Sequence, residues 1–494
     1  MIAEGKKAAA SRCSPRGQEL RSMAQRFDRR RFFQTSTAAA VGLSGVGTLT
    51  TRAGEAGRGA DTNVVAEPAR QVPVVEEADV VVCGAGPAGV AAALASARSG
   101  AATRLIEANG CLGGVWTAGL LSWILDTSNK TGLMREMLVR LEQRGASHVF
   151  GGSVGYDVEE MKLLLEEMCL EAGVRIRLHT RVSAAVRSPA GRLEAVLTDS
   201  KSGREAFRAK AFIDCTGDGD LAAQAGCGYD YGDPQTGQAQ PMSFICLLSG
   251  IEPEGVAPFV RELIEGTDWS VTKDNLRKAM NDVGVDPSYA KPTLFYIRRG
   301  LFCLMANHEY GVAGTNADEL TAASLRGRAE VHRLINALRA GGGPWKDVRI
   351  IATPEHIGVR EGRRIHGRYT VTTQDLIDGA VHEDAVCQVR FGVDVHSTDP
   401  TKTKGIASKG VRAKPYDVPY RALVAKDVEG LLMAGRNISG DFIAHSSYRV
   451  TGDSVPMGEA AGVAAALAAK SGRLPHELPW AEIREQRDSL VSNG

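Results

Sequence analysis

Three stretches of this chain bring reactive or anion-binding residues together at a spacing that chemistry can use. The densest is Arg360-Glu361-Gly362-Arg363-Arg364-Ile365-His366-Gly367-Arg368, with four guanidinium groups and one imidazole in nine residues. Guanidinium binds planar anions through paired N–H bonds, so one reading is a clamp for a substrate carboxylate built on Arg360 and Arg364. The other is a solvated or salt-bridged face, with Glu361 or Asp375 as partner. As a strand from Arg363 to Val371, the run places Arg364, His366 and Arg368 on one face, and Gly362 and Gly367 argue against a helix. The second stretch holds His445 and Arg449. An ordinary imidazole pKa of about 6.5 suits His445 to act as a general base or hydrogen-bond donor, and a satisfied structural histidine is the alternative. The third is Gly84-Ala85-Gly86-Pro87-Ala88-Gly89. Here Gly84 allows a tight turn, Gly86 lets the backbone approach a pyrophosphate, and Gly89 lets a helix pack close to a sheet.

These residues need elements to hold them. Ala78–Cys83 reads as a buried parallel strand that leads straight into the glycine turn, and Val90–Ala97 as a helix with Gly100 available for its C-cap. A second strand, Thr103–Glu107, ends in an acid placed to accept hydrogen bonds from a ribose. Strand, turn, helix, strand and acid in this order form a dinucleotide-binding unit, with the helix N-terminus facing the phosphates. That unit alone does not choose between NAD and FAD. Further elements are a helix over Met161–Glu171, a strand over Val174–Leu178, and an apolar strand from Ala211 that ends in Thr216-Gly217-Asp218-Gly219. Another buried strand, Val428–Met433, runs into Gly435-Arg436, and a helix covers Gly458–Leu467. A capping box, Asn316-x-x-Glu319, opens a helix with apolar Leu320, Leu325, Val331, Leu334, Ile335 and Leu338, closed by Gly341-Gly342-Gly343.

Composition narrows the classes. At 494 residues, the chain is long enough for two or three domains. Lys and Arg number 59 against 58 Asp and Glu, so no global field draws the protein to nucleic acid or anionic lipid. A hydrophobic share of 43% and a charged share of 24% are those of an ordinary globular protein. The nine cysteines show neither Cys-x-x-Cys nor the Cys/His spacing of a zinc site, which favours buried free thiols and excludes a dithiol redox motif. No cluster of acids or histidines has metal-ligand spacing.

Gly110-Cys111-Leu112-Gly113-Gly114 follows the acid almost directly, and its Gly113-Gly114 pair resembles the GG signature of the FAD-binding glutathione-reductase structural family. With Gly358–Gly367, Val428–Ser439, Ala444–Val450 and Gly458–Leu467, the chain is similar to bacterial FAD-dependent oxidoreductases related to the fumarate reductase and succinate dehydrogenase flavoproteins. The resemblance implies FAD as cofactor. It also implies that Val182 holds the adenine through its backbone and that Thr216, Gly217 and Asp218 lie near the pyrophosphate, with Gly435 and Arg436 in the same site. Arg449 resembles the substrate-binding arginine of those relatives, a few residues closer to Gly458 than theirs. Small residues at Gly458 and Ala461 would let the last helix approach the flavin, its positive N-terminal end stabilising charge on the reduced ring. No second G-x-G-x-x-G follows a strand, so electrons are expected from an organic substrate or an external donor.

Asp28-Arg29-Arg30-Arg31-Phe32-Phe33-Gln34 and the mildly apolar Thr35–Leu49 resemble a twin-arginine export signal, the alternative being a basic disordered tail. The apolar part is shorter than the roughly 20 residues of a spanning helix, so no stable membrane span is expected. Either Met1 or Met23 is the start. The expected order is leader 1–56, linker 57–76, a Rossmann-like FAD-binding domain in two parts (77–245 and 415–475), an inserted α+β substrate domain (246–414) and a tail (476–494). In this α/β chain, Arg360, Arg364, His445 and Arg449 are the expected substrate-side residues. Gly84 to Gly89, Glu107, Gly113, Gly114, Val182, Thr216 to Asp218, Gly435, Arg436, Gly458 and Ala461 are the expected cofactor residues. The function expected is hydride transfer between a small polar substrate, a carboxylate or sugar derivative, and FAD in a protein that the twin-arginine export machinery carries to the periplasm or out of the cell, with a separate electron acceptor or donor. A flavin monooxygenase and a non-enzymatic flavin electron-transfer protein are the alternatives.

Overall fold

The computed structural model describes residue 65 and residues 67–408 and 410–492. The expected export signal, the first part of the linker and Cys13 lie outside the described residues.

In chain order, the elements that build the site are β1 (Val74–Cys83), α1 (Pro87–Arg98), β2 (Thr103–Ile106), α2 (Val158–Glu171), β3 (Arg175–Arg177), β4 (Arg181–Arg187), β5 (Leu193–Ser200) and β6 (Gly203–Asp214). Next come β7 (Ile245–Ser249), α3 (Trp269–Asp282), β8 (Thr293–Arg298), β9 (Leu301–Met305), α4 (Ala317–Gly341) and β10 (Arg349–Ala352). The chain returns with β11 (Leu431–Met433), α5 (Phe442–Tyr448) and α6 (Thr451–Ser471).

The first sheet has the order β3-β2-β1-β6-β5-β4, with β11 also on β6. Its core is parallel, and β5 and β4 run antiparallel at one side. β6 serves two neighbours on one edge: Gly203–Arg208 pairs with β5, and Phe212–Asp214 with β11. The register sets Cys83 opposite both Ile106 and Asp214, and Met433 opposite Asp214. The carboxyl ends of β1, β2, β6 and β11 therefore finish on one line, and the turns that leave them meet there, where open α/β sheets bind ligands. Val80–Cys83 is apolar without alternation because both faces of β1 are covered.

Helices α1 and α6 lie against this sheet and against each other. A Cβ on Gly458 would fall 2.0 Å from the Ala88 carbonyl oxygen, and one on Gly462 would fall 2.2 Å from that of Ala92. Only glycine at both positions lets the backbones approach this far. The expected start of this last helix needs correction. It begins at Thr451, with Val450 as N-cap, and Pro456 lies inside it. Gly458 and Ala461 are thus well within the helix, where Gly458 packs on α1. Pro456 lacks the N–H that would bond the Gly452 carbonyl, a break that the almost wholly buried helix tolerates.

The second sheet is antiparallel with the order β8-β9-β7-β10. Its alternation divides two cores. Cys246, Leu248, Leu294, Phe302 and Leu304 pack with Leu276 and Met280 of α3 and with Val331, Leu334, Ile335 and Leu338 of α4. Ile245, Leu247, Phe295 and Cys303 join the core of the first sheet. Half of the expected capping box forms: the Asn316 side chain accepts from the N–H groups of Asp318 and Glu319, while Glu319 turns back to the Ala313 N–H at 2.7 Å. Leu325, expected in the apolar stripe, is 61% exposed.

Residues 70–494 form one compact unit. The segment 363–371, expected in the inserted domain, is stitched instead to the cofactor side. Ile365 N–H donates to the Asn437 carbonyl (3.0 Å), Arg368 N–H to Val424 (3.0 Å) and Val371 N–H to Ser439 (3.1 Å). Among the described residues no helix is long and apolar enough to cross a membrane, and no group of three or more His, Cys, Asp or Glu could hold a metal ion. The eight described cysteines are free thiols.

Gly458→Ala should destabilise the protein by about 1–3 kcal/mol, because the new methyl group meets a backbone carbonyl that cannot swing away. Thermal melting of the variant beside wild type measures it; an unchanged midpoint would show that the two helices can part at little cost.

Candidate functional site

The turn after β1 is built from its glycines. Gly84 has φ +91°, and a Cβ there would lie 2.4 Å from the Cys215 carbonyl oxygen, so the turn packs on the one that leaves β6. A Cβ on Gly86 would meet nothing within 4 Å, because that position opens onto a cavity. Glu107, just past β2, braces the turn: Oε2 accepts from the Ala85 N–H (2.6 Å), and Oε1 accepts from the backbone and side chain of Asn109 (2.8 Å each). A carboxylate oxygen takes more than one hydrogen bond, so this brace leaves room for ribose hydroxyls.

The cavity has a volume of about 990 Å³. Of the expected cofactor residues, Gly84, Gly86, Pro87, Ala88, Glu107, Gly114 and Val182 line it, as do Thr216, Gly217, Asp218, Gly435 and Arg436. Ala85, Gly89, Gly113, Gly458 and Ala461 stand behind that lining. Gly113 donates its N–H to the Ala85 carbonyl (2.7 Å), tying the glycine pair to the first turn. Arg436 pairs with Asp218 at 2.6 Å across Gly217. The N-terminus of α6 also faces the cavity, through Val450, Thr451 and Ser454. The positive end of a long helix therefore points into it, seven residues before the place expected from Gly458.

The cavity continues between the two sheets to a polar end. Arg360 lines it, with Nη1 donating to the Pro241 carbonyl (2.7 Å), and among the described residues it makes no ion pair. Burial and the Arg449 guanidinium pull its pKa down to about 10. Arg449 Nη2 donates to the Asp394 carbonyl (2.9 Å) and lies 3.4 Å from Asp394 Oδ2. Burial works to raise the Asp394 carboxyl; His396, Arg449 and Arg360 outweigh it and hold the group well below the usual carboxylate range. His396 and Tyr289 line the same end, and Lys273 reaches it from α3 with its pKa pushed down to about 8, chiefly by burial. Leu294, Phe295, Met305, Leu320 and Leu325 add apolar wall.

Four of the five cationic residues in the 360–368 run, the expected Arg364 among them, are committed elsewhere. Arg363 pairs with Asp220 (2.9 Å), His366 lies 3.5 Å from Asp230, and Arg368 pairs with Glu429 (3.1 Å). Arg364 is buried in an ion pair with Glu361 and donates to the Gly232 carbonyl (3.1 Å), away from the cavity. Of the cluster, only Arg360 reaches the cavity. His445 does not line it either. It is fully buried in α5 against Tyr448, and burial together with Arg364, Arg449 and Arg436 holds its pKa well below the ordinary value.

Sequence reasoning missed Lys273, Tyr289, His308, Asp394 and His396. They come from separate segments and only the fold brings them together. The one local signal was Asp394-Val395-His396, two polar side chains on the same side of an extended stretch.

Among curated proteins, none matches this sequence. Solved structures similar to it include a geranylgeranyl bacteriochlorophyll reductase-like protein of Thermoplasma acidophilum (12% identity, 85% of this chain and 84% of that one, TM-score 0.41). Others are the flavin-dependent brominase Bmp2 (12%, 84% and 83%, TM-score 0.41) and the p-nitrophenol 4-monooxygenase PnpA of Pseudomonas putida (12%, 60% and 70%, TM-score 0.36). The family model described as FAD dependent oxidoreductase matches residues 79–486. The chain belongs to that FAD-dependent oxidoreductase family: it is an oxidoreductase, and FAD is its cofactor.

Proposed function

We propose that this FAD-dependent oxidoreductase moves a hydride between a small polar substrate, a carboxylate or sugar derivative, and its flavin, and that it works in the periplasm after twin-arginine export. One observation carries the catalytic part: a single cavity runs from the glycine turns to Arg360, a guanidinium that makes no direct ion pair among the described residues. Gly86 and the start of α1 would take the pyrophosphate, Glu107 the ribose, Val182 the adenine, and Gly435, Arg436 and the start of α6 the flavin end. Bound FAD supplies two-electron redox chemistry. Arg360 would hold a substrate carboxylate through two parallel N–H bonds, and Arg449, fixed by Asp394, adds a second positive charge beside it. The apolar wall excludes water and strengthens these contacts. The export part rests on Asp28–Gln34 and the apolar Thr35–Leu49 that follow, and on nothing in the fold. The electron acceptor or donor would be a separate partner, because the chain has no second dinucleotide motif.

Gly86→Val tests the cradle. The position has ordinary extended φ and ψ and open space for the side chain, so the variant should fold and melt like flavin-free wild type while purifying colourless. A yellow variant would place the pyrophosphate elsewhere.

Arg360 and Arg364 should separate. In an anaerobic panel of carboxylates, sugars and polyols, one class should bleach the wild-type flavin, and Arg360→Ala should weaken that response about 10–100-fold, the worth of a lost charge-assisted pair. Arg364→Ala should instead cost about 3–5 kcal/mol of stability by stranding Glu361. Melting curves and bleaching titrations on both variants measure the split, and equal bleaching by wild type and Arg360→Ala would remove Arg360 from the substrate site.

Lys273 loses its charge as pH rises through about 8, so carboxylate binding should be tighter below that pH and weaker above it. Titrations of the bleaching compound at pH 7 and pH 9 measure the difference, and Lys273→Arg, charged at both, should abolish it.

A further inference from the structure

The polar end of the cavity holds a chain of four titratable groups joined end to end. Asp394 Oδ2 lies 3.2 Å from His396 Nε2, His396 Nδ1 lies 3.1 Å from His308 Nε2, and His308 Nδ1 lies 3.1 Å from the Tyr310 hydroxyl. Asp394 and His396 line the cavity. Both imidazoles are buried, while Tyr310 is partly exposed and precedes the exposed Gly311. The backbone beneath the rings is held in place: the His396 backbone N–H donates to Gln240 Oε1 (2.9 Å) and the His308 backbone N–H to the Ser288 hydroxyl (2.7 Å), while the Tyr289 ring sits 4.1 Å from that of His308. Burial, followed by the charge of Arg360, holds both histidines below the ordinary imidazole pKa, so both are neutral at pH 7.

Neutral imidazole has one donor and one acceptor nitrogen, so the chain dictates its own proton positions. An ionised Asp394 only accepts, and His396 Nε2 must therefore carry hydrogen. His396 Nδ1 then accepts from His308 Nε2, and His308 Nδ1 accepts from the Tyr310 hydroxyl. Every link has one donor and one acceptor. If the proton on His396 moves to Nδ1, His308 must change tautomer with it. The Tyr310 hydroxyl then turns its hydrogen to the Ser288 carbonyl, 3.4 Å away.

We infer that Asp394, His396, His308 and Tyr310 form a proton relay between the substrate end of the cavity and the protein surface. The inference rests on the proposed reading of the cavity as a hydride-transfer site. When substrate is reduced, it takes a hydride from the flavin and a proton through Asp394. From the resting set, with both rings protonated on Nε2, His396 Nε2 gives its proton to Asp394, His396 Nδ1 takes one from His308 Nε2, and His308 Nδ1 takes one from the Tyr310 hydroxyl as the phenol oxygen takes one from water. One proton enters, one leaves, and no charge stays on the rings. Substrate oxidation runs the same links backwards from the Nδ1-protonated set that this leaves. Asp394 is the relay group at the substrate, and the other three act through it.

The first test uses the FAD-loaded protein. Bound flavin is reduced anaerobically by photoreduced deazaflavin, the oxidised form of the compound that bleaches it is added, and proton uptake during flavin reoxidation is followed with a pH-indicating dye. Tyr310→Phe and His308→Gln should each slow uptake at least tenfold while flavin spectrum and melting temperature hold; uptake at the wild-type rate in both would overturn the relay and leave the cofactor reading intact. A wild-type protein that binds no flavin would overturn the cofactor reading and the relay with it. A second readout does not depend on reduction. In ¹⁵N-histidine NMR spectra, Asp394→Asn should move the tautomer-sensitive signals of His308 as well as those of His396. Signals of His308 that stay in place would show uncoupled rings and overturn the proposal.

Discussion

The contact between α1 and α6 is the constraint on which the site depends. Gly458 rests on the Ala88 carbonyl and Gly462 on that of Ala92, so neither helix can shift along the other without a backbone clash. Both helices begin at the cavity. Pinning one against the other therefore sets two positive helix ends, residues 86–88 and 450–454, around the same space. The turn after β11 joins them, since a Cβ on Gly435 would stand 3.1 Å from the Ala88 side chain. Arg449, the residue just before the α6 N-cap, is carried to the cavity by the same packing.

Charge is distributed around this frame by burial. A guanidinium out of water is stable only when its hydrogen bonds and charge are met, and the arginines after Arg360 meet theirs with acids: Asp220 and Glu429 from other segments, and Glu361 three residues before Arg364. Asp218 and Arg436 do the same above the β6 turn, and Gly362 passes close beneath that pair. Arg360 stands apart, with a carbonyl for one nitrogen and the cavity before it. A site for an anion is made by leaving one such group without a direct ion pair.

The seam between the two sheets supplies what the first sheet lacks. One face of the antiparallel sheet closes over α3 and α4, and the other brings Ile245, Phe295 and Met305 to the cavity. Tyr289, His308 and the 394–396 stretch meet at this seam, where low polarity keeps both histidines neutral and makes each hydrogen bond between them count for more.

The strand-turn-helix unit at one end of the cavity is legible in the order of the amino acids. Gly84 to Gly89, the helix after them and Glu107 are contiguous, and their spacing is enforced by the local geometry of one strand-turn-helix unit, so the order of residue types is enough to read it. The resemblance carried by Gly113-Gly114 and the later segments led to FAD in the same way. Which charged residues line the cavity follows from packing between distant segments. Whether Arg360 or Arg364 is free depends on where Glu361, Asp394 and Gly232 lie, and whether His445 or His396 meets the cavity depends on how α5 and the second sheet pack. Likewise Pro456 and Gly452 disfavour a helix locally, and α6 runs through them because burial on every side outweighs the local cost. Local geometry, and even the Arg364–Glu361 pair three residues apart, is written in neighbouring residues; which charged group faces the cavity is settled by contacts between segments far apart in the chain.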